Sequence, residues 1–397
     1  MSRAAPGPVL ITGGAGFIGT NLSHRLLAMG QPVIVYDNLS RAGVERNLCW
    51  LQVTHPGLVD AWVADVRDAE SLGAAVAKAS AVFHFAAQVA VTTSLDGPIH
   101  DFEVNARGTL NLLEAIRRES TRPGRTPPPL VFTSTNKVYG ALDDVALEPG
   151  VRRYRPADPE LGTHGVSEAR PLDFHSPYGC SKGAADQYVL DYAHTFGLPA
   201  LVFRMSCIYG PHQFGTEDQG WLAHFLIRAL AREPITLYGD GRQVRDVLFV
   251  EDLVDAFLAA RARVDRLAGT AFNIGGGPEN TVSLLELIEM IGELTGRTPE
   301  AHFEPWRPAD QRYYVSDTRR FGEAADWAPR VDVSEGLERL HAWLKDERIA
   351  GRGALAGGEG NGARAAADQP AGARANGSRP RPAGAGRQQE AAEWRQP

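Results

Sequence analysis

Over the first half of this chain, short runs of consecutive apolar residues alternate with stretches in which apolar side chains recur every three to four positions. That is the rhythm of βαβ units and of a mostly parallel sheet. The apolar runs predict strands over 9–11, 32–36, 61–64, 81–85, 130–134 and 200–203. The 3.6-residue pattern predicts helices over 17–29, 105–118 and 178–195, the last opening just after Pro177. Residues 141–174 are polar and aperiodic, and a connection that long reads as an excursion over a functional site. Beyond Gly210 the pattern turns irregular, with helices over 221–231, 251–261 and 284–294 and short strands between them, as in a smaller lid domain. No fixed period repeats. The expected organisation is therefore α/β, with a dinucleotide-type domain over 1–204 and a mainly C-terminal substrate domain over 205–349, with some interleaving of the chain.

Composition changes this picture at one end. The 397 residues, 43 % hydrophobic, suffice for two or three domains with buried cores. Residues 350–397, however, hold 14 Ala, 10 Gly and 7 Arg, with Leu355 and Trp394 the only large apolar side chains. Such a segment buries too little surface to fold and is expected to be a disordered tail. The tail is net positive, so the body without it is more acidic than the whole-chain charge of −7, which argues against nucleic acid as a partner. Cys49, Cys180 and Cys207 are odd in number, far apart and without a CxxC pair, so no disulfide framework and no metal site is expected. With no signal-like start and no run of 18 apolar residues, the expectation is a cytoplasmic protein that does not engage a membrane.

Candidate chemistry begins at Val9-Leu-Ile-Thr-Gly13-Gly14-Ala-Gly16-Phe-Ile-Gly19, between a predicted strand and a predicted helix. Glycines there allow a tight turn and a close approach of backbone to a pyrophosphate, which the helix N-terminus then faces. Asp37 follows 18 residues after Gly19, where its carboxylate accepts from ribose hydroxyls and repels a 2′-phosphate, favouring NAD over NADP. Arg41 pulls slightly the other way, since a guanidinium welcomes such a phosphate. Asp65 ends the third strand and reads equally as an adenine contact or as a cap for the next helix. His84, alone in an apolar run, reads as a core histidine, and Trp221, Phe225 and Tyr238 as lid-domain core.

Tyr178-Gly-Cys-Ser-Lys182 places a phenol and an ammonium on one helix face, and Thr133-Ser134-Thr135 ends a strand ahead of it. On these residues the chain resembles the extended short-chain dehydrogenase/reductase superfamily and its NAD-dependent epimerase/dehydratase family. The likeness runs over 8–345 and includes His84-Phe-Ala86-Ala87, Asn105 with Gly108-Thr109, Val138-Tyr139-Gly140, Arg245-Asp246 and Phe272-Asn-Ile-Gly275-Gly276. It implies a Rossmann-type doubly wound parallel sheet with a smaller C-terminal substrate-binding lid, NAD as cofactor, and Thr135, Tyr178 and Lys182 as catalytic residues. For the cofactor it implies contacts from Gly13, Gly16, Phe17, Ile18, Gly19, Asp37, Asn38, Ser40, Arg41, Asp65, Val66, Phe85, Ala86, Ala87, Gln88, Asn105, Ser134, Tyr178 and Lys182. For the substrate it implies Gln88, Thr93, Thr135, Asn136, Ser206, Arg245 and Arg312, and for the assembly a homo-oligomer.

Taking a hydride from a sugar carbon requires that the hydroxyl proton leave as well, so a base is needed; Tyr178 as phenolate is that base, helped by Lys182, while Thr135 bonds the reacting oxygen. Dehydratases of the superfamily follow the Thr with an Asp-Glu pair; Asn136 and Lys137 stand here instead, which disfavours loss of water. Epimerisation needs no extra acid, because the hydride returns to the other face of the turned keto sugar. The strings at 36–41, 88–94, 134–140, 173–188, 218–221, 241–246 and 310–312 are similar to the branch of the family that inverts C2 of a CDP-linked 3,6-dideoxyhexose. Cys207 departs from the Asn that many members carry there. A UDP-hexose 4-epimerase and a non-catalytic dinucleotide sensor are the competing readings.

Overall fold

The structure is a computed structural model and describes residues 7–307 and 310–357, with one compact unit reaching to Ile349. Seven strands form the central sheet: β1 (Val9–Thr12), β2 (Val33–Asp37), β3 (Val59–Val63), β4 (Ala81–His84), β5 (Leu130–Thr135), β6 (Ala200–Met205) and β7 (Ala271–Ile274). All neighbours are parallel, in the order β7-β6-β5-β4-β1-β2-β3. The chain runs outward from β1 in both directions, so the strand order reverses between β1 and β4, and a doubly wound sheet binds its ligand beyond the strand ends at that reversal.

The apolar runs are buried on both faces with a period of two. Val9 and Ile11 pack in one core layer with Leu22 and Leu26 of the helix Phe17–Ala28 and Phe257 of the helix Val250–Ala262. Leu10 faces the other layer, with Leu112 and Ile116 of the helix Gly108–Ser120 and Val189 of the helix Ser176–Phe196. All six predicted strands and most predicted helices lie within a residue or two of the observed ones. The helix expected over 105–118 is broken differently: a short helix Pro98–Phe102 leads into a π-turn, Glu103–Arg107, and only then the α-helix.

A second sheet centres on Val244–Phe249, which pairs with Thr281–Ser283 antiparallel and with Cys207–Tyr209 and Tyr313–Tyr314 in parallel. Ile235–Tyr238 and Ala301–Glu304 form a separate parallel pair. β7 comes from the C-terminal half of the chain yet completes the central sheet. The polar stretch 141–174, expected as an ordered or mobile excursion over a site, is ordered. It holds a hairpin, Leu147–Pro149 with Tyr154–Pro156, and is tied to the second sheet by Tyr154 N donating to Arg242 O (3.0 Å) and Val166 N to Val315 O (2.7 Å). Those bonds give buried backbone groups partners, and residues 150–156 line a cleft against the second sheet with Val244, Thr281 and Tyr313. The last helix, Val333–Gly357, runs past residue 350, where the tail was expected to begin. The remainder of that expected tail, 358–397, lies outside the described residues. Among the described residues no helix is long and apolar enough to cross a membrane, no group of His, Cys, Asp and Glu is disposed to hold a metal, and the three cysteines are free.

Candidate active site

The glycine loop sits at the end of β1, at the point of reversal. Gly13 adopts φ +68°, and a Cβ there would stand 2.7 Å from Ala86 N; one on Gly19 would stand 2.3 Å from Gly13 O. The loop therefore closes only with glycine, packed between the helix it opens and the backbone of Phe85 and Ala86 after β4. Gly16 caps the helix without a side chain, and Phe17 and Ile18 form its first turn. Asp37, at the end of β2, accepts from Ala15 N (3.1 Å) and Leu39 N (2.9 Å), although burial pushes its carboxyl above the ordinary value. Asn38, Ser40 and Arg41 follow it on the exposed turn, where Ser40 N donates to Asn38 Oδ1 and the Arg41 guanidinium acts on Asp37 by charge. These features fit a dinucleotide: a backbone cradle that a Cβ would fill, an uncapped helix N-terminus, and an acid beside it.

Other cofactor candidates are placed differently. Asp65 is gripped in bidentate fashion by Arg67 (2.9 Å twice) and receives Asn38 Nδ2 (2.9 Å), which holds its carboxyl well below the usual range; the next helix is capped by Asp68, not by Asp65. Val66 is buried against Gly108. The Phe85 ring stacks on Phe257 at 4.9 Å, so Phe85, Ala86 and Ala87 offer backbone to the loop. Asn105 is fully engaged inside the protein. Its amide donates to Gln88 O, Asp101 Oδ1 and Ser181 Oγ (3.0 to 3.2 Å) and accepts from Gln88 N (2.9 Å), so it positions the loop after β4 and offers no free group. Ser134, 3 % exposed, has a hydroxyl without a partner, as does Gln88 at Oε1. His84 is a core residue: Thr109 Oγ1 donates to Asn105 O, so His84 Nε2 donates to Thr109 and Nδ1 accepts from Thr12, and burial pushes its pKa down to about 3.

Thr135, Tyr178 and Lys182 converge at the ends of β5 and the helix Ser176–Phe196, and all are buried. Thr135 hydrogen-bonds the Tyr178 phenol. Lys182 Nζ donates to Thr133 O (2.6 Å) and lies 4.3 Å from the Phe132 ring centroid. The help expected from Lys182 and a positive nicotinamide ring would have to act against the burial of both groups. Burial pushes Tyr178 up to about 12, with Asp101 pushing the same way, while burial brings Lys182 itself down to about 7 against the pull of Asp186 and Asp101. In this state the phenol keeps its proton.

Beside the triad opens a pocket lined by Thr135, Asn136, Lys137 and Tyr178 and, from the second half of the chain, by Cys207, Trp221, Phe225, Tyr238, Gln243, Arg245 and Arg307. Asn136 donates to Gln311 Oε1 (3.4 Å). Arg245, 7 % exposed, is held by Asp310 (2.8 Å), which also stands 3.7 Å from Lys137 Nζ. Burial lowers the Lys137 pKa and raises that of the Cys207 thiol, which takes the indole N–H of Trp221 at 3.3 Å. Trp221, Phe225 and Tyr238 thus serve the pocket as well as the core.

Four residues expected at the substrate, Gln88, Thr93, Ser206 and Arg312, are not among those that line this pocket. Thr93 is exposed on its short helix, and its neighbour Thr92 lines the pocket. Gln88 turns back to donate to Ala90 O (3.0 Å). The Ser206 hydroxyl is taken up by Asp246. Arg312 is exposed over Trp306 at 5.4 Å, and Arg307 is the second guanidinium on the pocket wall. Arg307 and Glu217 lie outside every motif, because single polar residues in an irregular stretch carry no periodic signal, while Asp218, Gln219 and Gln243 lie inside the strings 218–221 and 241–246 without a role that spacing assigns.

Residues 9–275 match the model described as the NAD dependent epimerase/dehydratase family. The chain is 43 % identical over 342 residues to the CDP-paratose 2-epimerase of Salmonella typhi, covering 84 % of this chain and 98 % of that protein. It is 34 % identical over 340 residues to the UDP-glucose 4-epimerase of Mycolicibacterium smegmatis, covering 85 % and 98 %. Among solved structures, the UDP-glucose 4-epimerase of Thermus thermophilus in complex with NAD aligns with a TM-score of 0.70 at 33 % identity, over 85 % of this chain and 99 % of that one.

Proposed function

This chain belongs to the NAD dependent epimerase/dehydratase family, and from that membership we propose that it is an NAD-retaining isomerase that converts CDP-paratose to CDP-tyvelose by inverting C2. The observation that carries the reading is the site itself. Thr135, Tyr178 and Lys182 meet beside a pocket whose next residues are Asn136 and Lys137, so an oxidation at carbon is supported and a carboxylate pair for removing water is absent. The 43 % identity to a CDP-paratose 2-epimerase supports the nucleotide and the carbon.

Bound NAD would supply a reversible hydride acceptor for C2 and would be regenerated at each turnover. Gly13, Gly16 and Gly19 would hold its pyrophosphate and Asp37 its ribose. Tyr178 takes the C2 hydroxyl proton, and Thr135 holds the oxygen from which it comes. After the 2-keto sugar turns over in the pocket, Tyr178 returns the proton to that oxygen. Lys182 supplies positive charge near the phenol, and Arg245 would bind the diphosphate, with Asp310 as its partner until substrate arrives. Exposed Ile99, Phe102 and Tyr188, on helices flanking the triad, support a homo-oligomer.

Proton NMR of CDP-paratose with the purified protein and no added NAD tests the reading, with UDP-glucose in parallel. C2 inversion of the CDP sugar is expected. An unchanged CDP sugar, even with NAD supplied, or inversion of UDP-glucose at C4, overturns it; the 34 % identity to a UDP-glucose 4-epimerase makes the second arm informative.

A further inference from the structure

The part of the pocket wall built from residues 217–243 differs in character from the charged part around Arg245. Trp221, Phe225, Tyr238 and Leu284 give it an aromatic and apolar lining suited to a flat heterocycle. Residues 216–219 form a closed turn, with Thr216 N donating to Gln219 O (2.8 Å) and Gln219 N to Thr216 O (3.2 Å). Arg307 fixes that turn: its guanidinium lies 3.7 Å from the Tyr238 ring centroid, donates to Glu217 O (3.3 Å) and pairs with Glu217 (3.5 Å) and Asp218 (3.4 Å).

Two buried side-chain atoms on this wall lack a partner, and both are acceptors. Gln243 is 3 % exposed; its Nε2 donates to Tyr238 O (2.7 Å), leaving Oε1 without a donor. Turning the amide would set its oxygen against the Tyr238 carbonyl, so the orientation is fixed. Gln219 Oε1 is likewise buried and without a donor. A buried acceptor left unpaired costs free energy that a ligand donor recovers. Glu217 and Asp218 beside them add acceptors and no donors.

We propose that this wall is the base subsite and that Gln219, together with Gln243, selects a pyrimidine that presents an exocyclic amino group. The inference rests on the reading of the substrate as a CDP-linked sugar and adds the residues that choose the base. Cytosine carries an amino donor at C4 with two hydrogens for two acceptors. Uracil carries a carbonyl oxygen at that position and a single N–H at N3, so acceptor would face acceptor at C4 and at least one glutamine oxygen would stay unpaired. Discrimination by a group left unpaired is stronger than discrimination by size.

The test is calorimetric titration of the NAD-loaded protein with CDP and with UDP, alongside the NMR assay on the same preparations. The wild type is expected to bind CDP more tightly than UDP by on the order of tenfold or more. Gln219→Leu is expected to weaken CDP by about tenfold and to leave UDP within about twofold, whereas Gln219→Glu, which keeps acceptors in place, retains the preference. Equal affinities in the wild type, or a Gln219→Leu protein that loses both nucleotides alike or neither, overturns the proposal. A wild type that inverts CDP-paratose while Gln219→Leu discriminates undiminished sinks the base assignment and leaves the epimerase reading standing. Selective CDP binding without inversion at C2 does the reverse. Gln243→Met, read by the same ratio, covers the case in which Gln219→Leu fails to fold.

Discussion

Tyr178 and Lys182 show how position alone sets reactivity. Four residues apart on one buried helix face, they have opposite protonation tendencies: burial raises the acid and lowers the base, each toward its neutral form. A phenol near 12 is a poor base at neutral pH, so positive charge delivered to the site must bring it down for turnover. The rate of the NAD-loaded enzyme is expected to rise with pH through an ionisation well below 12, because only the phenolate takes the proton. Removing the ammonium in Lys182→Met raises the phenol further, so that rise shifts to higher pH. A pH–rate profile that stays in place in Lys182→Met would remove Lys182 from this role. Tyr178→Phe is expected to lower turnover by about 10³-fold or more while bound NAD, read after denaturing the purified protein, is retained. Motif spacing revealed these residue types in sequence; their ionisation depends on neighbours such as Asp101, which no motif contains, and Asp186, whose place in the string 173–188 does not disclose that role.

Elements here are joined by contacts that tolerate little change. The helix Phe17–Ala28 approaches β1 so closely that a Cβ on Gly19 would stand 2.6 Å from Gly14 Cα. Gly19→Ala is therefore expected to lose bound NAD. Gly30, just past that helix at φ +77° with nothing within 4 Å, marks the contrast: Gly30→Ala costs about 1 kcal/mol in backbone strain and keeps the cofactor. Absorbance of nucleotide released on denaturation, with a thermal melt, separates the two. Further along, β6 is locked to the helix Ser176–Phe196 by Arg204 and Asp186, paired in bidentate fashion at 2.9 Å and nearly inaccessible. Arg204→Met leaves a buried carboxylate unpaired and is expected to cost about 3–5 kcal/mol in urea unfolding, where a loss below 1 kcal/mol would contradict it. The strands of this layer were legible because burial on both faces demands continuous apolar runs. The π-turn Glu103–Arg107 was not, since its backbone is shaped by the Asn105 bonds to the loop after β4 and to the facing helix.

Across the whole molecule, several histidines are buried neutral, which links folding to pH. His84 lies near 3 and His212 near 4, below the ordinary 6.5 that the unfolded chain returns to. Between those values the unfolded state binds more protons, so stability rises with pH and is lost progressively as pH falls from about 6.5 toward 4. Thermal melts at pH 7.5 and 4.5 should show a marked loss at the lower value, and His84→Asn should shrink it; an unchanged difference would show that His84 does not carry the linkage. The sequence by itself determined the mostly parallel sheet, the glycine loop with Asp37 and the shared helix face of Tyr178 and Lys182, because periodicity, turn chemistry and helical spacing are local properties, and resemblance to a family added the double winding and Thr135. Only the tertiary structure decided which polar residues face the ligand. It turned Ser206 to Asp246 and Arg312 to Trp306, brought Arg307 and Gln243 to the pocket, and laid the excursion 141–174 on the second sheet. Ser206, Arg307 and the excursion take partners distant in sequence, and partner choice at long range is not written in any short stretch of the chain.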